Sequence, residues 1–369
     1  MKKYIIGLWI FLAICVIAIL ILSVMIEVPM QIQSESYHPQ SSHKEIRDTD
    51  RQNLDNLDPG GETKDPITFL SVGDIMLGRY VETLMNVHGQ KYPFDNWDDF
   101  YQDQDLVIGN LEGPIVENHV QTPDFTIRFS FSSAVADLLS QKSFSHLNLA
   151  NNHTFDQGKQ GFEETQSFLD EVEVGYFGHP RQAQHGQVVI ETMNEQKVAL
   201  IGLNQAVSSY FDLEESQSLV EKIRSDHPEA MIMIQIHWGD EYQLRSNQTQ
   251  QTIAQTLAKA GADIIIGHHP HVVQEVDVYQ DTLIFYSLGN FIFDQYFSQD
   301  VQEGLALRGT IAPEMEIELI PITSDLSQPQ VMKSPRKDAF FIELAERSDE
   351  QLQKCIKEGL VDQRCLKRE

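Results

Sequence analysis

Residues 262–274, ADIIIGHHPHVVQ, place three imidazoles at the exit of an apolar run. Ile264, Ile265 and Ile266 read as a buried strand that Gly267 ends; His268, His269 and His271 follow at once, with Pro270 stiffening the turn. Imidazole is the commonest metal-ligating side chain. In an extended segment residues two apart point the same way, so His269 and His271 are placed to share one ion. Taken alone, the pattern is equally that of a histidine-rich loop.

Four other apolar runs end in the same kind of residue. Residues 68–72 lead into Gly73 and Asp74, 105–108 into Asn110 and Glu112, 147–150 into Asn151, Asn152 and His153, and 231–236 into His237. Ligands of open α/β sheets bind at the carboxyl ends of strands, so these exits are expected to converge on one crevice. That crevice would hold two carboxylates, an amide and several imidazoles. Mixed nitrogen and oxygen donors suit divalent Mn, Zn or Fe, and a carboxylate can bridge two ions about 3.5–4 Å apart, as in two-metal hydrolytic sites. The competing reading is a set of polar strand ends that only bond their own loops.

Six stretches carry a resemblance: GDIMLGR (73–79), NLEGP (110–114), LANNHTFDQG (149–158), HWGDEY (237–242), GADIIIGHHPHVVQ (261–274) and YSLGNFIFD (286–294). In this order they resemble the poly-γ-glutamate capsule biosynthesis proteins of the CapA/PgsA family, whose fold is similar to that of the calcineurin-like metallophosphoesterases. The resemblance implies an α/β domain over 67–344, built as a calcineurin-like metallophosphoesterase β-sandwich flanked by helices. It also implies a membrane-anchored component of poly-γ-glutamate synthesis, export or anchoring, whose partners are the polymer or the subunits of its membrane synthase. Metal-assisted hydrolysis or transfer is the chemistry expected of it. Two alternatives stand beside this: a non-catalytic subunit organising the synthase, and a surface metallophosphoesterase unrelated to capsule.

Carried over residue by residue, the metallophosphoesterase pattern puts Asp74 on the first metal, Glu112 at the bridging position and Asn152 on the second metal. His237, His269 and His271 complete the ligands, and His153 stands as the acid beside the leaving group. The chain departs from the pattern at Met76, where a ligating histidine is expected; a thioether is a poor ligand for such ions, so one position loses a donor and one or two ions are expected. His268 has no family role and reads as a loop residue. Asp156 either orients the His153 ring or caps the helix beginning near Gly161. Arg79, also counted among the catalytic candidates, and Arg128, in an alternating strand over 125–131, either fork onto a substrate phosphate or carboxylate or form ordinary surface ion pairs. Asn290 either orients a ligand or serves the turn at Gly289. His146, His179 and His185 are isolated and read as loop or surface residues.

The elements around these residues follow from composition and periodicity. Residues 5–26 carry no charge and are long enough to cross a ~30 Å hydrocarbon core as a helix. Lys2 and Lys3 favour a cytoplasmic N-terminus and an extracellular C-terminal domain, hence a single-pass protein of the cell membrane; a cleaved signal peptide is the alternative. Residues 1–26 therefore form the tip and anchor, and 27–66, polar and poor in large apolar residues, form a tether. Helices are expected over 162–172 and over 248–260, the latter capped by Gly261, and a hairpin over 187–190 and 197–203. The charge-rich segment 345–369 reads as a surface appendage.

A formal charge of -28, from 27 basic and 55 acidic residues, argues against nucleic acid as a partner, because attraction to phosphate dominates such binding. Of the 3 cysteines, only Cys355 and Cys365 lie outside the anchor, so a disulfide between them is open but would staple the tail alone.

Overall fold

Residues 65–183, 187–312 and 314–366 are described by a computed structural model. The expected anchor at 5–26, nearly all of the tether and His185 lie outside these residues. Among the described residues no helix is long and apolar enough to cross a membrane.

Strands β1 (Ile67–Ile75), β2 (Leu106–Leu111), β3 (His146–Asn148) and β4 (Gly175–Phe177) run parallel, side by side. The chain then leaves to build a second sheet from β5 (Val189–Met193), β6 (Gln196–Asn204), β7 (Met231–His237), β8 (Ile264–His268), β9 (Val276–Tyr279) and β10 (Thr282–Phe285), ordered β5-β6-β7-β8-β10-β9. It returns with β11 (Asn290–Ile292), β12 (Glu303–Ala312), β13 (Glu316–Asp325), β14 (Gln328–Val331) and β15 (Leu360–Asp362). These complete the first sheet along β14-β13-β12-β1-β2-β3-β4, with β11 on β1 and β15 on β13.

The period-2 alternation of each strand divides its side chains between two apolar layers. Phe69, Ile108, Leu200, Ile264, Ile266 and Leu307 meet between the sheets. Their neighbours point outward: Leu70 and Val107 pack under helices α1 (Arg79–His88), α2 (Ala134–Gln141) and α3 (Gly158–Glu171). Ile201, Ile234 and Ile265 pack under α4 (Leu213–Asp226) and α5 (Gln248–Ala260). The result is the helix-flanked β-sandwich that the resemblance implies.

The helix α5 occupies the expected residues because its ends are written locally. Asn247 and Gln250 form a reciprocal capping box, and Gly261 takes the left-handed conformation, at φ 114°, that ends it. The expected hairpin is present, with longer strands: Asn194 and Glu195 form a two-residue left-handed turn, so Glu191 and Gln196 pair as strand residues instead of looping out.

Three expectations are corrected. The alternating segment 125–131 is mostly an irregular loop, with Phe125 98% and Ile127 82% exposed; it pairs only at its end, where Phe131 makes an isolated parallel bridge with Ile115. His146 is not a loop residue but lies buried in β3 against Gly175, its Nε2 3.2 Å from Glu191; His179 is in a loop, as expected, and packs edge-on to Phe155 and Phe162. The tail beyond 344 is part of the core: after α6 (Arg336–Arg347), residues Leu352, Ile356 and Val361 are fully buried between the sheets. Strand β15 pairs with β13, matching Val361 to Ile317, and a Cys355–Cys365 disulfide closes the turn between them.

Two outcomes follow. Burial of one aliphatic side chain contributes about 1.5–3 kcal/mol, so deleting residues 348–369 removes three such contributions from a domain whose net stability is about 5–15 kcal/mol. The truncated chain should lose its cooperative calorimetric transition; a melt at the full-length midpoint would restore the tail to an appendage. Asp277, on β9 where the tail docks, has its pKa raised to about 6 by burial and by the charges of Glu275 and Asp349. The folded chain therefore binds this proton more tightly than the unfolded chain does, so stability declines as pH rises from the unfolded value near 3.9 towards 6 and stays lowered above. Asp277→Asn should raise the thermal midpoint at pH 7 and change it little at pH 4; no difference between the two pH values would refute the assignment.

Candidate metal centre

The parallel strands deliver the expected residues to one crevice. Asp74 lies near the end of β1, Glu112 directly follows β2, Asn152 and His153 follow β3, His237 ends β7 and His268 ends β8. Register sets Asp74 beside Asn110 of β2 and Asn290 of β11, and His237 beside His268. A Cβ on Gly73 would stand 2.1 Å from the Gly289 carbonyl oxygen, so glycine is required for the close approach in which the Asp74 amide donates to that carbonyl.

His269 and His271 reach the crevice by a route other than the extended segment expected. Strand β8 stops at His268, and both later histidines adopt left-handed backbone, at φ 95° and 57°, on either side of Pro270. That turn brings the His269 ring to 4.8 Å from His237 and 6.0 Å from His271. Left-handed backbone is costly for residues with a Cβ and persists where surrounding structure over-determines it, as it often does at functional sites.

Asp74 is wholly buried and fully engaged. Its Oδ1 accepts from Asn110 Nδ2 at 2.9 Å and faces His268 Nδ1 at 3.1 Å; its Oδ2 accepts from the His269 amide at 3.3 Å and lies 3.5 Å from His271 Nδ1. Glu112 is equally buried, yet neither of its carboxylate oxygens has a hydrogen-bond partner. Its Oε1 lies 3.8 Å from both His271 Nε2 and His153 Nε2. A buried carboxylate without a partner is expensive, and a cation is the group that fits between it and the surrounding imidazoles. Asp74, Glu112 and His237 offer ligand atoms within 4.8 Å of one another, and so do Glu241, His269 and His271. Asn152 Oδ1 stands 2.8 Å from His237 Nε2, beside the first group. Oxygen and imidazole donors together match divalent Mn, Zn or Fe.

The charges in the crevice are unequal. Burial opposes ionisation of Asp74, but hydrogen bonds with His268 and His271 hold its carboxyl well below the usual range. Burial, reinforced by the neighbouring Asp74 charge, pushes Glu112 well above it. Burial would neutralise His271 too, yet Glu112 and Asp74 raise it to about 9, whereas burial and the His271 charge lower His269 to about 4. His271 stands between the two carboxyl groups, its Nδ1 3.5 Å from Asp74 Oδ2 and its Nε2 3.8 Å from Glu112 Oε1.

Around this centre the other expected residues divide. His153 Nδ1 lies 2.8 Å from Asp156 Oδ2, its ring stacks on Phe129 with centroids 4.0 Å apart, and Asp156 also accepts from the Phe129 amide. Met76 is buried in the apolar layer under the helices, its sulfur facing the Gly78 amide at 3.2 Å. Arg79 is paired through its guanidinium with Asp294, donates to the Thr126 carbonyl and lies over the Phe129 ring, which commits it to the protein instead of to an incoming anion. Arg128 donates to the Asp156 carbonyl. Asn290 serves His271: its Oδ1 lies 2.9 Å from His271 Nδ1 and its amide donates to the Val301 carbonyl, which leaves His271 Nε2 as the atom directed at Glu112. His268 is a buried partner of Asp74 instead of a loop residue. Asn110, which bonds Asp74 and lies 3.3 Å from His237 Nδ1, and Glu241 were missed; the only signals for them were their places in NLEGP and HWGDEY.

Residues 68–295 match the family described as bacterial capsule synthesis protein PGA_cap. The chain belongs to this family. Capsule biosynthesis protein CapA of Bacillus anthracis is 31% identical over 316 residues, covering 78% of this chain and 77% of that protein. PGA biosynthesis protein CapA of Bacillus subtilis (strain 168) is 31% identical over 305 residues, covering 75% of this chain and 80% of that one. The metal-ligating candidates of this PGA_cap protein, from Asp74 to His271, all fall inside the matched region.

If the two left-handed histidines hold an ion, replacing both His269 and His271 with Ala should abolish metal retention by the purified protein, read by elemental analysis. Because an ion bound to the native state stabilises it by mass action, the variant should also lose the rise in thermal midpoint that added metal gives the parent. Unchanged metal content would refute the ligand assignment.

Proposed function

We propose that this PGA_cap protein serves the synthesis, export or anchoring of poly-γ-glutamate at the outer face of the cell membrane, held there by residues 5–26. Its buried centre would hold one or two divalent ions and carry out metal-assisted hydrolysis or transfer. The observation that carries the reading is Glu112, a wholly buried carboxylate with two unpartnered oxygens set among His153, His271 and Asp74. The helix-flanked sandwich and the order of the ligands along the chain support a likeness to the calcineurin-like metallophosphoesterases.

Asp74, Glu112, Asn152, His237, His269 and His271 would hold the metal, which when bound supplies Lewis-acid activation of the scissile group and of water. The protein's own residues do the rest. Asp74 is fixed by three donors, so the first ligand does not reorient. Asn290 orients His271, and the sandwich walls exclude bulk water from Glu112. Asp156 accepts from His153 Nδ1, and Phe129 stacks on the ring, so Nε2 faces Glu112 and is the atom that passes a proton to the leaving group.

One observation favours the second reading, a non-catalytic subunit that keeps the metal for folding or binding: the Met76 side chain occupies the core where the phosphoesterase pattern has a ligand. His153→Ala separates the two. Under the catalytic reading it retains metal and fold but loses about 10²–10⁴-fold in turnover of γ-glutamyl or phosphodiester substrates, the range for removing a general acid. Normal polymer output from cells carrying this variant, with metal and fold intact, would overturn catalysis at this site and leave the organising role.

A further inference from the structure

We propose that Glu241 is a metal ligand, completing with His269 and His271 a cation position on the outer side of the one that Asp74, Glu112 and His237 would form. The inference rests on the reading of the buried centre as a cation site, and it answers what that reading leaves open: which group replaces the donor missing at Met76.

Met76 cannot supply that donor, because its sulfur is turned into the core towards the Gly78 amide. Glu241 is the carboxylate whose oxygen lies within 4.8 Å of ligand atoms on both His269 and His271. Two unpartnered buried groups point to an ion there. The Nδ1 of His269 has no hydrogen-bond partner, and neither do the oxygens of Glu112, which His271 Nε2 approaches at 3.8 Å. His271 thus belongs to the outer group while touching the inner one, so an ion bound by Glu241, His269 and His271 has Glu112 as its inner neighbour.

The position of Glu241 is built, although its side chain is exposed. Gly239 takes a left-handed turn at φ 86°, where a Cβ would collide with the Gln250 side chain at 2.6 Å. Tyr242 follows, also left-handed at φ 62°, and its amide donates to the Pro270 carbonyl at 2.8 Å. That one backbone bond ties the turn carrying Glu241 to the turn carrying His269 and His271. Gln295 donates to the Tyr242 hydroxyl and holds the ring beside His271. A carboxylate at the solvent-facing side makes the outer position the more accessible and the more readily exchanged of the two. With its oxygen and imidazole donors it would take a hard or borderline dication such as Mn²⁺.

The test is a calorimetric titration of the purified full-length chain with Mn²⁺, beside Glu241→Gln and, as a control for exposed charge, Glu214→Gln. The parent and E214Q should bind two ions. E241Q should bind one with parental affinity and the other at least about tenfold more weakly, the scale on which changes around a metal site act. In excess chelator E241Q should melt at the parental midpoint, because an exposed side chain adds little to the apo fold, and added Mn²⁺ should raise that midpoint less than it does for the parent. Two ions bound by E241Q at parental affinities, or a single ion bound by the parent, would overturn the role of Glu241 and leave the inner centre standing. No binding by the parent would overturn the buried-centre reading itself, and this inference with it.

Discussion

Two wholly buried carboxylates, Asp74 and Glu112, share one crevice, and most of the surrounding structure answers the cost of placing them there. A single ionised carboxylate removed from water loses several kcal/mol even after the protein relaxes around it, and a second one nearby adds repulsion. The fold resolves the conflict asymmetrically. Asp74 is given three donors and keeps its charge; Glu112 is given none and is pushed towards the neutral form, while His271 is driven to hold a proton between them. An arrangement that is costly without a cation would be relieved by one, because a divalent ion favours the charged form of both carboxyls and so opposes the burial that neutralises Glu112.

Holding that arrangement requires backbone that cannot relax. His269, His271, Tyr242 and Arg79 all have positive φ without being glycine, and all stand around the crevice. What restrains them is the rigidity behind them. Ile264 and Ile266 of β8 fill the space between the sheets, Ile265 anchors the opposite face, and the Asp74 amide is pinned to Gly289. Left-handed backbone also occurs in turns elsewhere in the chain, but at the crevice it is carried by candidate ligands and by residues that pack beside them.

The elements that were legible in the sequence are those whose reasons are local. The helix at 248–260 is bounded by its own cap residues, and the five ligand-bearing exits announce themselves as apolar runs ending in His, Asp or Asn. What could not be read depends on partners far along the chain. The alternation at 125–131 looks like a strand, but pairing stops at a single bridge between Phe131 and Ile115, whereas the charge-rich tail looks like solvent-facing chain until β13 supplies an edge for β15. His268 seemed superfluous beside two better-placed histidines; only the pairing of β7 with β8, which aligns it with His237, turns it into Asp74 and shows why it is there.

The same distinction bears on how a negatively charged protein would meet the anionic polymer of the proposed function. With a net charge of -28, long-range attraction works against such an encounter. Arg79 and Arg128, the cations expected to compensate, are both committed: one to Asp294 and the Thr126 carbonyl, the other to the carbonyl of Asp156. Their roles are structural in effect, because Arg79 supports the Phe129 ring that stacks on His153, and Arg128 braces the residue that orients it. Under the proposed function, attraction for an anionic group would then come from the buried centre. Charge at the crevice would depend on metal loading: a bound ion would draw a carboxylate or phosphate inward, where the buried Glu112 alone would oppose it.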